Sequence, residues 1–295
     1  MQLVKKELKK ELMDYLVSEL ENCVAQQFTG KLDISTSKGD YSLYFGLGRL
    51  VWATGGWHSR RRWQRNLTQF CPDLDVAQLR MHRTEEMDNW EYSSLVNSLH
   101  RGYLNKENLL MVATGAIREV LFDLLQIIAA KETIASSHSK NSQDITRDIS
   151  GENRKNIYKE HLQLKAHWGS RPAGNQTLPR ALTINLAEIF AEVRKEWQCW
   201  ERVIGTEAIK CSPNQVPVLR KPANLKQKIS AKSYRNLSVL ASGNYTIRDI
   251  SSLLCRPAWQ VMNLLLPHVR TSDIGLVDVA DLDNIAAVPG FKFSA

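Results

Sequence analysis

The sequence predicts an α+β protein: a small antiparallel β-meander packed with helices, a helical middle, and a C-terminal helix-turn-helix or winged-helix-like part. Three observations predict it. Three short β-rich runs separated by glycine-containing turns follow an N-terminal helical pattern, and a segment in the first half carries a long apolar stripe at helical spacing. The last third strings capped helical runs together and ends in a strand-like run. At 295 residues the chain is long enough for one large domain or two small ones with a sizeable core.

The first element, MQLVKKELKKELMDYLVSELENCV, is an amphipathic helix with Leu8, Leu12, Tyr15, Leu16 and Leu20 on one face. It lacks the continuous apolar core of a secretory signal. KLDIST then alternates apolar and polar residues, with Leu32 and Ile34 sharing a face; SKGD is a turn, YSLYF a second strand, GLG a second turn and RLVWAT a third strand. SRRRWQRNLTQF (59–70) places Trp63, Leu67 and Phe70 at helical spacing and stops at Cys71-Pro72.

From about Asp88 to Ile128 the pattern is helical. Tyr92, Leu95, Val96 and Leu99 make one stripe, ended by Gly102. Asn105 is placed to cap a long second helix whose stripe runs Leu109, Leu110, Ala113, Ile117, Val120, Leu121, Leu124, Leu125 and Ile128, the strongest core candidate in the chain. Residues 136–174 are rich in Ser, Asn and Lys and are expected to form a flexible or loosely ordered insertion. LAEIFAEVRKEWQCWERV is helical, lined on one side by Ile189, Phe190, Val193, Trp197 and Trp200, and the proline-punctuated SPNQVPVLRKPANL reads as an extended connection. SAKSYRNLSVLASG is a short helix ended by Gly243. TIRDISSLLC is a second, with Thr246 and Asp249 set for a capping box. RPAWQVMNLLLPHV is a third, with Pro257 early in its first turn, and IGLVDVADL is a terminal strand. The organisation expected is an α/β part over 1–130, a polar insertion over 131–180, a helical C-terminal part over 181–282 and a tail over 283–295.

Composition narrows the function classes. Hydrophobic content of 43% and charged content of 24% are those of an ordinary globular protein. No apolar run reaches the roughly 18 residues of a membrane helix. The best, Val120 to Ala130, is interrupted by Asp123 and Gln126. Cys23, Cys71, Cys199, Cys211 and Cys255 are odd in number and widely spaced, with no CxxC, which argues against a disulfide framework or zinc site and for a reducing cytoplasm. The formal charge of +8 is concentrated in HSRRRWQR (58–65) and LRKPANLKQKISAKSYR (219–235). Such excess admits nucleic-acid or acidic protein partners.

Gly46, Gly48, Gly55 and Gly56 in LYFGLGRLVWATGGW lie between strands, with no GK[ST] following, so they read as turn residues and not as a phosphate loop. Trp57, His58, Arg60, Arg61, Arg62, Trp63 and Arg65 form a candidate protein-interaction cluster of guanidinium forks and aromatics. The seven histidines (His58, His82, His100, His138, His161, His167 and His268) show no ligand spacing, and no nucleophile signature appears, so no enzyme activity, metal or cofactor is expected. Asp249 and Asp273 read as a cap and a turn residue. Trp259 is a further candidate interface anchor.

The order and spacing of several motifs resemble a known family. FTGKLDI, LYFGLGRLVWATGG, RRWQR, CP, REVLFDLLQ, EWQCWERVIG, SPNQVPVL, TIRDISSLL and IGLVDVADL together are similar to the PATAN module, the N-terminal domain of PatA-type proteins. The resemblance covers most of residues 20–282 and is poor around 136–174. It implies a cyanobacterial signalling protein of the response-regulator kind, acting in type IV pilus motility and phototaxis or in heterocyst patterning. In the motility branch it implies an output surface that docks on pilus motor components, a photoreceptor or other two-component proteins. A receiver is expected to follow IGLVDVADL in this family. Residues 283–295 (DNIAAVPGFKFSA) carry no acidic pair of that kind, so no phosphoacceptor is expected within this sequence.

Two functions follow. The leading one is a non-enzymatic signalling adaptor working by protein–protein contact. The alternative is a DNA-binding regulator using Arg220, Lys221, Lys226, Lys228, Arg256, Gln260 and Asn263. Against it stands the apolar character of PAWQVMNLLLPHV, which suits packing or self-association better than groove reading.

Overall fold

A computed structural model describes residues 2–74, 90–130, 162–169, 184–205 and 211–282. The rest of the expected insertion, the tail over 283–295, and His82, His138 and His161 lie outside the described residues, as does the side chain of Leu8. The chain divides into two compact units between Val193 and Arg194.

The first unit opens with helix α1 (Gln2–Ala25), which buries Leu12, Leu16, Leu20 and Cys23 at successive turns. The three expected strands follow as β1 (Gly30–Thr36), β2 (Gly39–Gly46) and β3 (Arg49–Gly55). The sheet holds a fourth strand, β4 (Gln163–Trp168), in the order β3-β2-β1-β4, all neighbours antiparallel. This corrects the reading of 163–168 as loosely ordered. As an edge strand β4 is exposed at Gln163, Lys165, Ala166 and Trp168. Leu162, Leu164, Ala166 and Trp168 do alternate with polar residues, a strand signal set inside a segment whose Ser-, Asn- and Lys-rich composition reads as loop. Leu32 opposes Leu43, and Ile34 opposes Tyr41, giving an apolar face buried to within a few per cent.

Helices α2 (Ser59–Phe70), α3 (Trp90–His100) and α4 (Lys106–Ala130) complete the core. The Asn105 carboxamide oxygen accepts from Asn108 N at 2.7 Å, capping α4, and Gly102 takes φ +74° where α3 ends. Along α4, Val112, Ile117, Val120, Leu121, Leu124 and Leu125 are fully buried. Each contributes about 1.5–3 kcal/mol of gross burial energy, which makes this helix the axis of the unit. Helix α5 (Leu186–Ile204) is capped by Asn185 and buries Ile189, Phe190, Val193, Trp197 and Trp200, the expected side.

The second unit contains β5 (Val216–Leu219), α6 (Pro222–Lys228), α7 (Ala231–Leu240), α8 (Ile247–Leu253), α9 (Ala258–Arg270) and β6 (Ile274–Val277). The stretch read as an extended connection therefore holds a strand and a one-to-two-turn helix, α6, with Pro222 in its first turn. β6 pairs antiparallel with β5, from before the helices, and Val218 forms a bridge to Ser242. Among the described residues no hairpin wing follows α9. Thr246 and Asp249 form the expected reciprocal capping box on α8. Pro257 is the N-cap of α9 and lies just outside its first turn.

Candidate interaction surfaces

The arginine helix is not a shared outward surface. His58, Arg62, Trp63 and Arg65 are buried, at 4%, 3%, 1% and 7% exposure. Arg62 Nη2 donates to the carbonyl of Gly55 at 2.5 Å. Arg65 donates from Nε and Nη2 to the two carboxylate oxygens of Glu119 on α4, at 3.1 and 2.5 Å, a bidentate fork. Asn66 Nδ2 donates to Glu119 Oε1 and to the Arg62 carbonyl, closing the network. Trp63 Nε1 donates to the carbonyl of Glu91 on α3, and its ring lies 5.3 Å from that of Trp90. Gly115 permits the close α2–α4 approach: a Cβ there would sit 1.8 Å from Asn66 Oδ1. Arg62 and Arg65 tie α2 to the core, which corrects their reading as docking residues. Of the candidates, Trp57 is 44% exposed with Lys38 Nζ 5.0 Å from its ring centroid, and Arg60 and Arg61 are half-buried.

A different surface emerges where α1 meets β1. In the turn between β2 and β3, Leu47 and Gly48 have φ of +52° and +75°, the signs a two-residue type I′ hairpin turn requires. Gly48 also passes close to α1, since a Cβ would lie 2.7 Å from the Val24 carbonyl. Leu47 N donates to Thr29 Oγ1 and Gly48 N to the Phe28 carbonyl, each at 2.8 Å. From the other side, Gly169 N donates to the Thr29 carbonyl at 2.9 Å, and the Trp168 ring meets Phe28 edge-on at 4.7 Å. Val24, Leu47 and Trp168 thus surround one rigid junction, exposed by 44%, 74% and 64%. In the sequence the glycines read as turn residues, and Leu47 between them is not among the candidate site residues. The available signal was a leucine where an Asn-Gly turn would be expected.

In the second unit, Asp273 is fully buried and does more than shape a turn. Its Oδ2 accepts from Lys228 Nζ and Thr271 Oγ1, both at 2.6 Å, and its carbonyl accepts from the backbone of Arg220 and Lys221. Lys228, then Thr271, hold its carboxyl below the usual aspartate range. Lys228 is therefore ion-paired within the unit while its side chain stays 48% exposed. Arg220 lies across Gly275 at a shallow pocket of ≈ 210 Å³ that Cys211 also lines. Lys221, Lys226, Arg256 and Asn263 are exposed; Gln260 and Trp259 are half-buried.

Among the described residues no group of three or more His, Cys, Asp or Glu is placed to hold a metal ion, and no helix is long and apolar enough to cross a membrane. All five cysteines are free. Burial raises the thiols of Cys23, Cys71 and Cys211 to about 11, which suits packing and not nucleophilic chemistry. Comparison of the chain with protein-family models, with curated proteins and with solved structures returns no match.

Proposed function

We propose that this chain is a non-enzymatic, cytoplasmic signalling adaptor that acts by protein–protein contact, in the manner its resemblance to the PATAN module implies. The docking surface is the junction rim of Val24, Leu47 and Trp168. The observation that carries the reading is Leu47 itself. A leucine in left-handed conformation disfavours the turn by about 1–2 kcal/mol relative to glycine, and this one is left 74% exposed. Local stability does not explain such a residue; a partner's pocket closing over it does. Trp168, anchored on Phe28 by one edge, supplies the kind of rigid aromatic that dominates interface energetics. The partners proposed are a pilus motor component, a photoreceptor or another two-component protein.

The test is binding of the full chain to purified pilus extension motor and photoreceptor partners, measured by calorimetry. Leu47→Asn restores the preferred Asn-Gly turn, so it is expected to hold or raise the melting temperature while weakening binding about tenfold or more. Trp168→Ser is expected to weaken binding similarly. Undiminished affinity in both variants would remove this surface, whereas loss only in variants that unfold would mark it as structural.

A further inference from the structure

The stripe that α9 turns to solvent differs in character from the helix as a whole. Val261, Met262, Leu265 and Leu266 are buried within the second unit, so the apolar residues that argued against groove reading are consumed in packing. The opposite face carries Gln260, Asn263 and Arg270, and Arg256 lies two residues before the helix in line with them. These are the side-chain types that make bidentate contacts to base edges: arginine to guanine, and glutamine or asparagine to adenine. Leu264, at 51%, is the exposed large apolar residue of this helix, too small a patch for self-association and suited to a thymine methyl group.

The local geometry fits the same use. Helices α8 and α9 are joined by four residues, Leu254 to Pro257, with Cys255 at φ +50°. Arg256 N donates to the Ser251 carbonyl at 3.0 Å, and Ser251 Oγ donates to the Arg256 carbonyl at 2.5 Å, so Arg256 is fixed at the head of α9. The thirteen residues of α9 make a rod about 20 Å long, which a B-form major groove about 12 Å wide admits. Charge points to the same class of partner. Residues 211–282 hold nine Lys/Arg against four Asp. Each of those four carboxylates, Asp249, Asp273, Asp278 and Asp281, accepts a hydrogen bond from within the unit. The hydrogen bonds from Arg220 and Lys221 to the Asp273 carbonyl bring those two residues to the C-terminal end of α9.

We propose that the second unit binds duplex DNA, with α9 reading the major groove through Arg256, Gln260 and Asn263 while Lys221 and Lys226 contact backbone phosphates. This is a function separate from the docking surface of the first unit. The experiment is selection of bound sequences from a random duplex library by the full chain, followed by fluorescence anisotropy on the enriched duplex between about 50 and 200 mM salt. An enriched motif is expected. Gln260→Ala/Asn263→Ala should flatten the preference by roughly tenfold or more per lost contact while sparing nonspecific binding. Lys221→Gln/Lys226→Gln should weaken all sequences alike and reduce the salt slope by about two. Circular dichroism confirms that each variant is folded. The proposal is overturned by no binding at the lower salt, by binding with no enriched motif that ignores Gln260 and Asn263, or by a preference for anionic phosphatidylglycerol vesicles over duplex.

Discussion

Replacing Arg65 with alanine separates a structural arginine from a surface one. The Arg65 side chain is 5% exposed and that of Glu119 is 17% exposed. Arg65 donates two hydrogen bonds to the Glu119 carboxylate, and Asn66 donates to it as well. Truncation strips both Arg65 hydrogen bonds from a largely desolvated carboxylate and leaves the Asn66 contact in place. Removing one partner of a buried pair costs about 3–5 kcal/mol. The surviving hydrogen bond and the residual water access at Glu119 place this case at the low end, ~3 kcal/mol. An exposed helix arginine would change stability by only about ±0.5 kcal/mol. Urea unfolding read by fluorescence distinguishes the two, with Glu119→Gln and the double variant closing the cycle. Arg65→Met/Glu119→Leu, which removes both charges, should unfold less readily than Arg65→Ala alone. A loss under about 1 kcal/mol for Arg65→Ala, with no coupling to Glu119, would refute the assignment and return this helix to the list of docking surfaces.

Gly115→Ala should destabilise the first unit by about 1–3 kcal/mol in thermal melts, although alanine is the better helix former by about 1 kcal/mol, because the new Cβ falls on Asn66 and the Phe70 ring. Native protein at about pH 8 should label with a thiol reagent at exposed Cys255, whereas Cys23, Cys71 and Cys211 should label only in denaturant, read by mass spectrometry of peptides. These three raised thiols also set a pH dependence. Their folded values of about 11 lie above the reference of 9.0, so the unfolded chain ionises first. Their contribution is intact below pH 9.0 and is lost as pH rises through about 11. A stability that rises over that window in the wild type and not in a triple Cys→Ala variant would contradict it.

Local periodicity determined much of this protein on its own. Alternation marked β1, β-rich runs between glycine turns marked β2 and β3, the 3.6-residue stripe marked α4, and Thr246 with Asp249 marked the start of α8, because each signal is written within a few consecutive residues. The orientation of polar groups was decided elsewhere. Arg65 finds Glu119 54 residues away, and Lys228 finds Asp273 45 residues away. A cation in a run of cations looks solvated until its partner is placed. β4 carries a strand's alternation in Leu162, Leu164, Ala166 and Trp168, but the polar composition of the segment around it reads as loop, and only its pairing with β1 places it in the sheet. The stripe Arg256, Gln260, Asn263 was legible in the spacing, yet composition alone made α9 look apolar. Burial separates the two faces of one helix where a residue count averages them. Leu47 shows the same division. Its turn was readable from the glycines beside it, while the exposure of its side chain beside Val24 and Trp168 arises only when α1, the hairpin tip and the sheet edge converge on Thr29. Short-range sequence sets backbone geometry, and long-range packing decides which side chains remain for a partner.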